Sequence, residues 1–141
     1  MEERIRIIKS ITDDWMESEF YPPATDLQIS EFEEKMKVKI PESYKEFLRY
    51  SNGGGLFGGD ALLYSVNIDD EYKINYDISE GNVPKELLII GLYNSKHICY
   101  DSRDNSFIFY EYEEYDDIKD ECLHFLDFYG VLDFMIDIAT N

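Results

Sequence analysis

Cysteine, basic side chains and long apolar runs are all scarce in this 141-residue sequence. Its two cysteines are too few for the disulfide framework of a small secreted domain. The longest apolar run, Leu87 to Ile90, is far shorter than a membrane span requires. The first residues, MEERIRIIKS, lack the apolar core of a secretory signal peptide. We therefore expect a soluble protein of the reducing cytoplasm.

The shortage of basic residues leaves a strong negative charge that is unevenly distributed. Lysine and arginine number 13 against 31 aspartates and glutamates, so the net charge is −18. Residues 1–49 hold 8 basic and 12 acidic side chains, a net of −4, whereas residues 50–141 hold 5 and 19, a net of −14. Such a protein repels nucleic acids and anionic membranes and attracts basic partners. A need for solubility alone explains why the net charge is negative, but it explains less well why the acidic residues are concentrated in residues 50–141.

The length and the lack of a linker predict one domain, residues 1–141. Hydrophobic periodicity predicts that it begins with helices. Ile5, Ile8, Ile11 and Trp15 recur at steps of three and four residues, which predicts a first helix over residues 2–16. After the helix-breaking FYPPAT, Thr25 and Gln28 form a capping box that opens a second helix. Its buried face comprises Ile29, Phe32 and Met36. Pro41 suits the first turn of a third helix, whose apolar face is Tyr44, Phe47 and Leu48.

The pattern then changes to that of strands. ALLYSVNI and LLIIGLYN each predict a strand, and HICYD and SFIFYEY predict a hairpin around the turn SRDN. A closing helix follows, roughly from Leu123 to Ala139, with Gly130 as a break or kink. Helices, then strands, then one helix indicate an α+β fold with a mainly antiparallel sheet.

Five glycines follow the third helix: Gly53, Gly54, Gly55, Gly58 and Gly59. Phosphate-binding loops join a strand to a helix N-terminus, whereas this loop leaves a helix C-terminus, where anions are disfavoured. No GK[ST] follows it, and the GxGxxG spacing is absent. We expect a structural loop instead: Asn52 or Gly53 ends the helix in a left-handed conformation, and Leu56 and Phe57 reach the core.

The same segment, IPESYKEFLRYSNGGGLFGG, resembles the signature of the SUKH superfamily of Smi–Knr-like domains. The matching positions are Ile40, Pro41, Tyr44, Phe47, Leu48, Asn52, Gly53 and Gly54. LLIIGLYN, HICYDSRDNSFIFYEY and VLDFMIDIA resemble the family's later strands and closing helix, so the resemblance spans most of residues 25–139. It implies an α+β fold and no catalysis. Many bacterial members are immunity proteins that bind a cognate toxin, often a nuclease. Others are regulatory interaction domains, which is the alternative function here.

Catalytic and metal-binding patterns are weak, so we expect neither a catalytic residue nor a cofactor. His97 and Cys99 could share a strand face and meet a metal, but Cys122 and His124 lie near a predicted helix start, where such side chains diverge. No nucleophile motif accompanies the histidines. Asp101, Asp104 and Asn105 suit a turn and lack the spacing of an EF-hand. A small enzyme or metal protein is the least favoured of the three classes.

Acidic residues alternate with tyrosines in two segments. The longer includes Glu111, Tyr112, Glu113, Glu114, Tyr115, Asp116 and Asp117; the shorter is Asp69, Asp70, Glu71 and Tyr72. Tyrosine supplies contact area at low entropic cost, and carboxylates pair with Arg and Lys. A solvated surface is the alternative interpretation. We predict that these residues bind a basic toxin domain, and that the segment Pro41 to Gly54 is structural.

Overall fold

The computed structural model describes residues 1–76, 83–111 and 124–141, and it has the α+β architecture that the sequence predicts. Four helices are described: α1 (Glu2–Ser10), α2 (Asp26–Met36), α3 (Glu42–Leu48) and α4 (Phe128–Thr140). The strands are β1 (Glu19–Phe20), β2 (Gly54–Leu56), β3 (Ala61–Leu63), β4 (Asn75–Tyr76), β5 (Leu87–Tyr93), β6 (Lys96–Asp101), β7 (Ser106–Tyr110) and β8 (His124–Phe125). A short 3-10 helix, Phe57–Gly59, connects β2 to β3.

The strands form one sheet in the order β1-β2-β3-β5-β6-β7-β8, and β4 also pairs with β5. Every pairing between these named strands is antiparallel. The predicted hairpin is present, with Asp101 opposite Ser106 at the turn. Because β5, β6 and β7 are the longest strands and most of their residues are buried, they form the centre of the sheet.

An aromatic cluster joins the helices to the sheet. The ring of Phe128 in α4 lies 4.7 Å from that of Tyr44 and 5.6 Å from that of Phe47, both in α3. The same ring lies 5.9 Å from that of Phe107 in β7. All four side chains are almost completely buried. Edge-to-face contacts of this kind add to the apolar area that each ring buries.

The second helix follows its local sequence closely. The Thr25 hydroxyl accepts from the Gln28 N–H, and the Gln28 side chain accepts from the Thr25 N–H, so the predicted capping box is present. Ile29 and Phe32 are buried as expected, whereas Met36 is only partly buried.

The first helix ends six residues earlier than predicted. It stops at Ser10, and the Met16 N–H then donates to the Asp13 carbonyl in a turn. Met16 is buried in the core, and Trp15 is 75% exposed. Turn-forming Thr12, Asp13 and Asp14 explain the early end, since they favour local bonds over helix.

Two other predicted boundaries also differ from the structure. The predicted strand ALLYSVNI is paired as a strand only over Ala61–Leu63. The closing helix begins at Phe128, and Gly130 lies in its first turn, where its N–H donates to the Asp127 capping carboxylate. Gly130 is therefore part of the helix start and does not break the helix.

Candidate protein-binding site

The signature segment, Pro41 to Gly54, packs one face of α3 inside the molecule. Pro41 precedes α3 as its N-cap, and Tyr44, Phe47 and Leu48 are fully buried. The Tyr44 hydroxyl donates to the Tyr64 carbonyl at 2.7 Å, which ties α3 to the chain after β3. Burial raises the pKa of Tyr44 well above its usual value, because ionisation would leave a charge in the core. Tyr44 is therefore a neutral structural hydrogen-bond donor.

The glycines of this segment shape the backbone, as expected, but the helix ends before them. The last residue of α3 is Leu48, and Arg49 caps it in a right-handed conformation. Gly53 has a φ of +86°, and a Cβ there would lie 2.8 Å from the Leu63 carbonyl oxygen. It is thus a left-handed turn residue leading into β2, and the prediction that Asn52 or Gly53 caps the helix is wrong. Leu56 and Phe57 are buried, as predicted.

Asn52 and Ser51 connect the signature segment to two surface loops. The Asn52 side-chain oxygen accepts from the Val66 N–H at 2.9 Å, and the Asn52 N–H donates to the Pro22 carbonyl at 3.1 Å. The Ser51 hydroxyl accepts from the Tyr21 N–H at 2.9 Å. The buried signature therefore sets the positions of residues 21–23 and of the chain that follows β3.

That chain includes the acidic loop, Asn67 to Tyr72, which contains the shorter predicted binding segment. Asp70 is structural: its carboxylate accepts from the Ser65 hydroxyl and from the Tyr72 N–H, both at 2.9 Å. Asp69 and Glu71 are exposed, and neither forms an ion pair with any residue that the structure describes. Tyr72 is 45% exposed, and its ring lies 6.1 Å from that of Tyr64. The loop thus presents two carboxylates and a tyrosine on an internally bonded backbone.

Two adjoining depressions lie beside the acidic loop, and we call them together the amide groove. One has a volume of about 440 Å³ and includes Glu31, Phe32 and Lys35 of α2 with Asp69. The other has a volume of about 310 Å³ and is bounded by Tyr21, Pro22, Pro23, Ser65 and Asp70. Gln28, Asn52 and Asn67 line both.

Sequence reasoning found only part of this groove. The sequence indicates Asp69 and Asp70 as binding residues and Asn52 as structural, and it places Gln28 and Phe32 in the second helix. It indicates Pro22 and Pro23 only as helix breakers, and Asn67 as part of a strand. The turn chemistry of Asn67, whose side chain accepts from the Asp69 N–H two residues on, is the signal that could have indicated a loop.

The longer acidic segment is described only at its first residue. Glu111 is exposed, and its carboxylate lies 4.0 Å from the Lys96 ammonium. Tyr112, Glu113, Glu114, Tyr115, Asp116 and Asp117 lie outside the described residues. Their role in binding remains a prediction.

The histidines lie in strands, His97 in β6 and His124 in β8, and side-chain bonds hold the hairpin turn. His124 lies in β8 and not in a helix, so that expectation is wrong, and Cys122 lies outside the described residues. Across the ranges 1–76, 83–111 and 124–141, no group of three or more His, Cys, Asp or Glu side chains could hold a metal ion. At the turn, the Arg103 guanidinium donates to Asp101, and the Tyr100 hydroxyl donates to Asn105.

Among the helices of the described residues, none is both long and apolar enough to cross a membrane.

Comparisons with known proteins agree with this architecture. A protein of Bacillus subtilis (strain 168), Uncharacterized protein YnaB, is 41% identical over 64 residues, which cover 45% of this chain and 44% of that protein. This chain therefore aligns with less than half of that relative's length. A crystal structure of a protein from Pseudomonas syringae pv. tomato superimposes with a TM-score of 0.58 over 92% of this chain and 93% of that one. At 16% identity, that likeness shows the fold alone.

The family comparison extends over most of the chain. The model of the SMI1 / KNR4 family (SUKH-1) matches residues 23–130. This range includes the signature segment, the acidic loop, the central strands and all of the amide groove except Tyr21 and Pro22. The chain therefore belongs to the SMI1 / KNR4 family (SUKH-1).

Proposed function

We propose that this chain is an immunity protein, which neutralises a cognate toxin by binding it stoichiometrically and without catalysis. The toxin domain is basic and of the nuclease type. The observation that carries this proposal is the acidic loop: Asp69 and Glu71 are exposed without an ion pair among the described residues, on a loop anchored to the family signature through Asn52.

The negative charge of this chain indicates a positively charged partner. Residues 50–141 hold 19 acidic and 5 basic side chains, so this part of the chain attracts positive charge. A nuclease holds a phosphate backbone and therefore lines its cleft with Lys and Arg. Carboxylates complement such a cleft, and opposite charge raises the association rate of an inhibitor that must act early.

The internal bonds of the acidic loop make it suited to binding. Asp70 holds the Tyr72 N–H, and Asn67 holds the Asp69 N–H, so the loop loses little conformational freedom on association. Tyr72 packs beside Tyr64 and offers an aromatic face for contact. The longer acidic segment, Glu111 to Asp117, is the second predicted binding segment and is tested separately.

The test is co-expression with the basic toxin domain sought among the neighbouring genes, scored by colony survival and by the kinetics of the purified pair. Asp69→Lys with Glu71→Lys should slow association by about an order of magnitude and reduce survival, because steering by charge is reversed. Glu34→Lys with Glu86→Lys is the matched control, since both side chains are exposed, lie outside the loop and change the net charge equally. Glu113→Lys with Glu114→Lys tests the longer segment in the same way.

Two further measurements distinguish effects on the association rate from effects on the dissociation rate. Raising salt to physiological strength should slow association, because exposed charges are screened over about 8 Å. Tyr72→Ala and Tyr115→Ala should mainly speed dissociation. Survival without any complex between the two purified proteins would refute stoichiometric inhibition. Binding that is equally sensitive to the control reversal would refute a role for the acidic loop.

A further inference from the structure

The amide groove has a feature that its negative charge does not explain: three side-chain amides line both of its depressions. They are Gln28 at the start of α2, Asn52 after α3 and Asn67 in the acidic loop. They come from three separate parts of the chain, and the fold brings them to one surface.

Each of these amides has its oxygen engaged by a backbone N–H. Gln28 accepts from Thr25 at 2.8 Å, Asn52 from Val66 at 2.9 Å and Asn67 from Asp69 at 3.1 Å. Because only the oxygen of an amide can accept, these bonds fix which end of each side chain is the NH₂ donor. None of the three NH₂ groups donates to a residue in the described part of the chain. The groove therefore offers oriented donors to a ligand that carries acceptors.

Carboxylates and apolar side chains complete the lining. Phe32 and Val66 are at least nine-tenths buried and form the apolar part, together with the partly buried Ile68. Glu31 comes from α2 and Asp69 from the acidic loop, and neither has an ion-pair partner among the described residues. Donors, an apolar surface and two carboxylates from different elements thus line one groove.

We propose that the amide groove binds an extended, arginine-bearing segment of the partner protein, an inference that rests on the proposed function. Backbone carbonyls of that segment accept hydrogen bonds from the amides of Gln28, Asn52 and Asn67. The arginine side chain lies along the apolar lining, and its guanidinium donates to Glu31 and Asp69. A planar guanidinium suits this site better than an ammonium does, since it donates to carboxylates in a forked arrangement.

Lys35 allows a test in the opposite direction, in which a substitution should strengthen binding. Its side chain also lines the groove, so its ammonium opposes an incoming guanidinium. Lys35→Gln removes that opposition and should tighten binding of an arginine peptide, whereas Glu31→Gln with Asp69→Asn should weaken it. Glu34→Gln with Glu86→Gln is the control, because these exposed carboxylates are not part of the groove lining.

The probes are two acetylated and amidated peptides, Gly-Ser-Arg-Ser-Gly and Gly-Ser-Lys-Ser-Gly, titrated into the full chain and followed by NMR. We expect the arginine peptide to shift the side-chain amide signals of Gln28, Asn52 and Asn67, with a weaker effect from the lysine peptide. Glu31→Gln with Asp69→Asn should raise the Kd of the arginine peptide about tenfold, because charge-assisted hydrogen bonds are lost. Gln28→Met removes one donor without changing charge, and it also removes the capping bond from the Thr25 N–H. In the folded variant, it should raise the Kd about threefold.

Several results would overturn the proposal. Equal shifts from both peptides, spread over the acidic surface, would show attraction by charge alone. The proposal is also wrong if the control pair weakens peptide binding as much as the groove pair does. It is wrong as well if Gln28→Met, in a folded variant, leaves the Kd of the arginine peptide unchanged. If the toxin is neutralised and no arginine peptide binds, the groove proposal fails and the immunity function stands. If the peptide binds and the toxin is not neutralised, the proposed function fails and the groove remains a peptide site.

Discussion

The signature segment and the acidic loop differ in almost every physical respect, although Asn52 connects them. The signature segment buries Tyr44, Phe47 and Leu48 completely. The acidic loop exposes Asp69, Glu71 and Tyr72 and uses its remaining polar groups to hold its own backbone. Residues that carry the family resemblance thus build the scaffold, and a surface loop positioned by that scaffold carries the chemistry for a partner.

The largest effect should come from the glycines that continue the signature segment. Gly58 has a φ of +68°, and a Cβ there would overlap the carbonyl oxygen of Trp15. Gly58→Ala should therefore lower the free energy of unfolding by about 2–4 kcal/mol, through left-handed strain and displacement of the Trp15 turn. Gly55→Ala is the control, because a Cβ at Gly55 meets no atom within 4 Å. Equal melting temperatures for the two variants would contradict this packing.

A smaller loss is expected from the buried hydroxyl of Tyr44. Tyr44→Phe leaves the Tyr64 carbonyl without this donor, which should cost about 1–3 kcal/mol in urea unfolding at neutral pH. The folded protein holds Tyr44 neutral because burial raises its pKa well above 10.0, whereas an unfolded tyrosine ionises near that value. This contribution is therefore complete below about pH 10 and decreases above it.

The alkaline range provides the check on that explanation. As pH rises above about 10, the stability of the wild-type chain should fall more steeply than that of Tyr44→Phe, so the difference between them narrows. Tyr64 retains its own effect in both proteins, since burial raises its pKa to about 12. A constant difference in the free energy of unfolding across this range would contradict the burial of a neutral Tyr44.

The smallest effect on stability should come from the acidic loop. Asp69→Lys with Glu71→Lys should change the free energy of unfolding by less than about 0.5 kcal/mol, because both side chains are exposed and outside the loop's internal bonds. Thermal melting measures this, and the same variant serves in the binding test. A large destabilisation would place these residues in the scaffold and remove the contrast between the two regions.

The parts of the fold that sequence predicted correctly are those with strong local signals. The capping box of Thr25 and Gln28 is complete within four residues, and the β6–β7 hairpin is formed by adjacent segments. Strand β2 could not be predicted, because Gly54–Leu56 becomes a strand only by pairing with β1 and β3. Tertiary pairing there overrides the weak strand preference of glycine.

The candidate site was predictable only at its most obvious charges. The run of acids Asp69, Asp70 and Glu71 indicates a binding surface. Sequence alone does not distinguish the structural Asp70 from its exposed neighbours. The amide groove is formed by residues between positions 21 and 70 that are distant in sequence. Its three amides were not recognised together because no spacing pattern relates them.

The turn that holds Trp15 against Gly58 has an optical consequence. This chain has one tryptophan, and its side chain is 75% exposed in the native fold. Its emission should therefore already resemble that of indole in water, so unfolding should shift the wavelength little. Energy transfer from the 12 tyrosines should fall instead as the chain expands. A blue shift on mixing with another protein would then report that Trp15 has been covered, which makes this turn an intrinsic fluorescent sensor of contact.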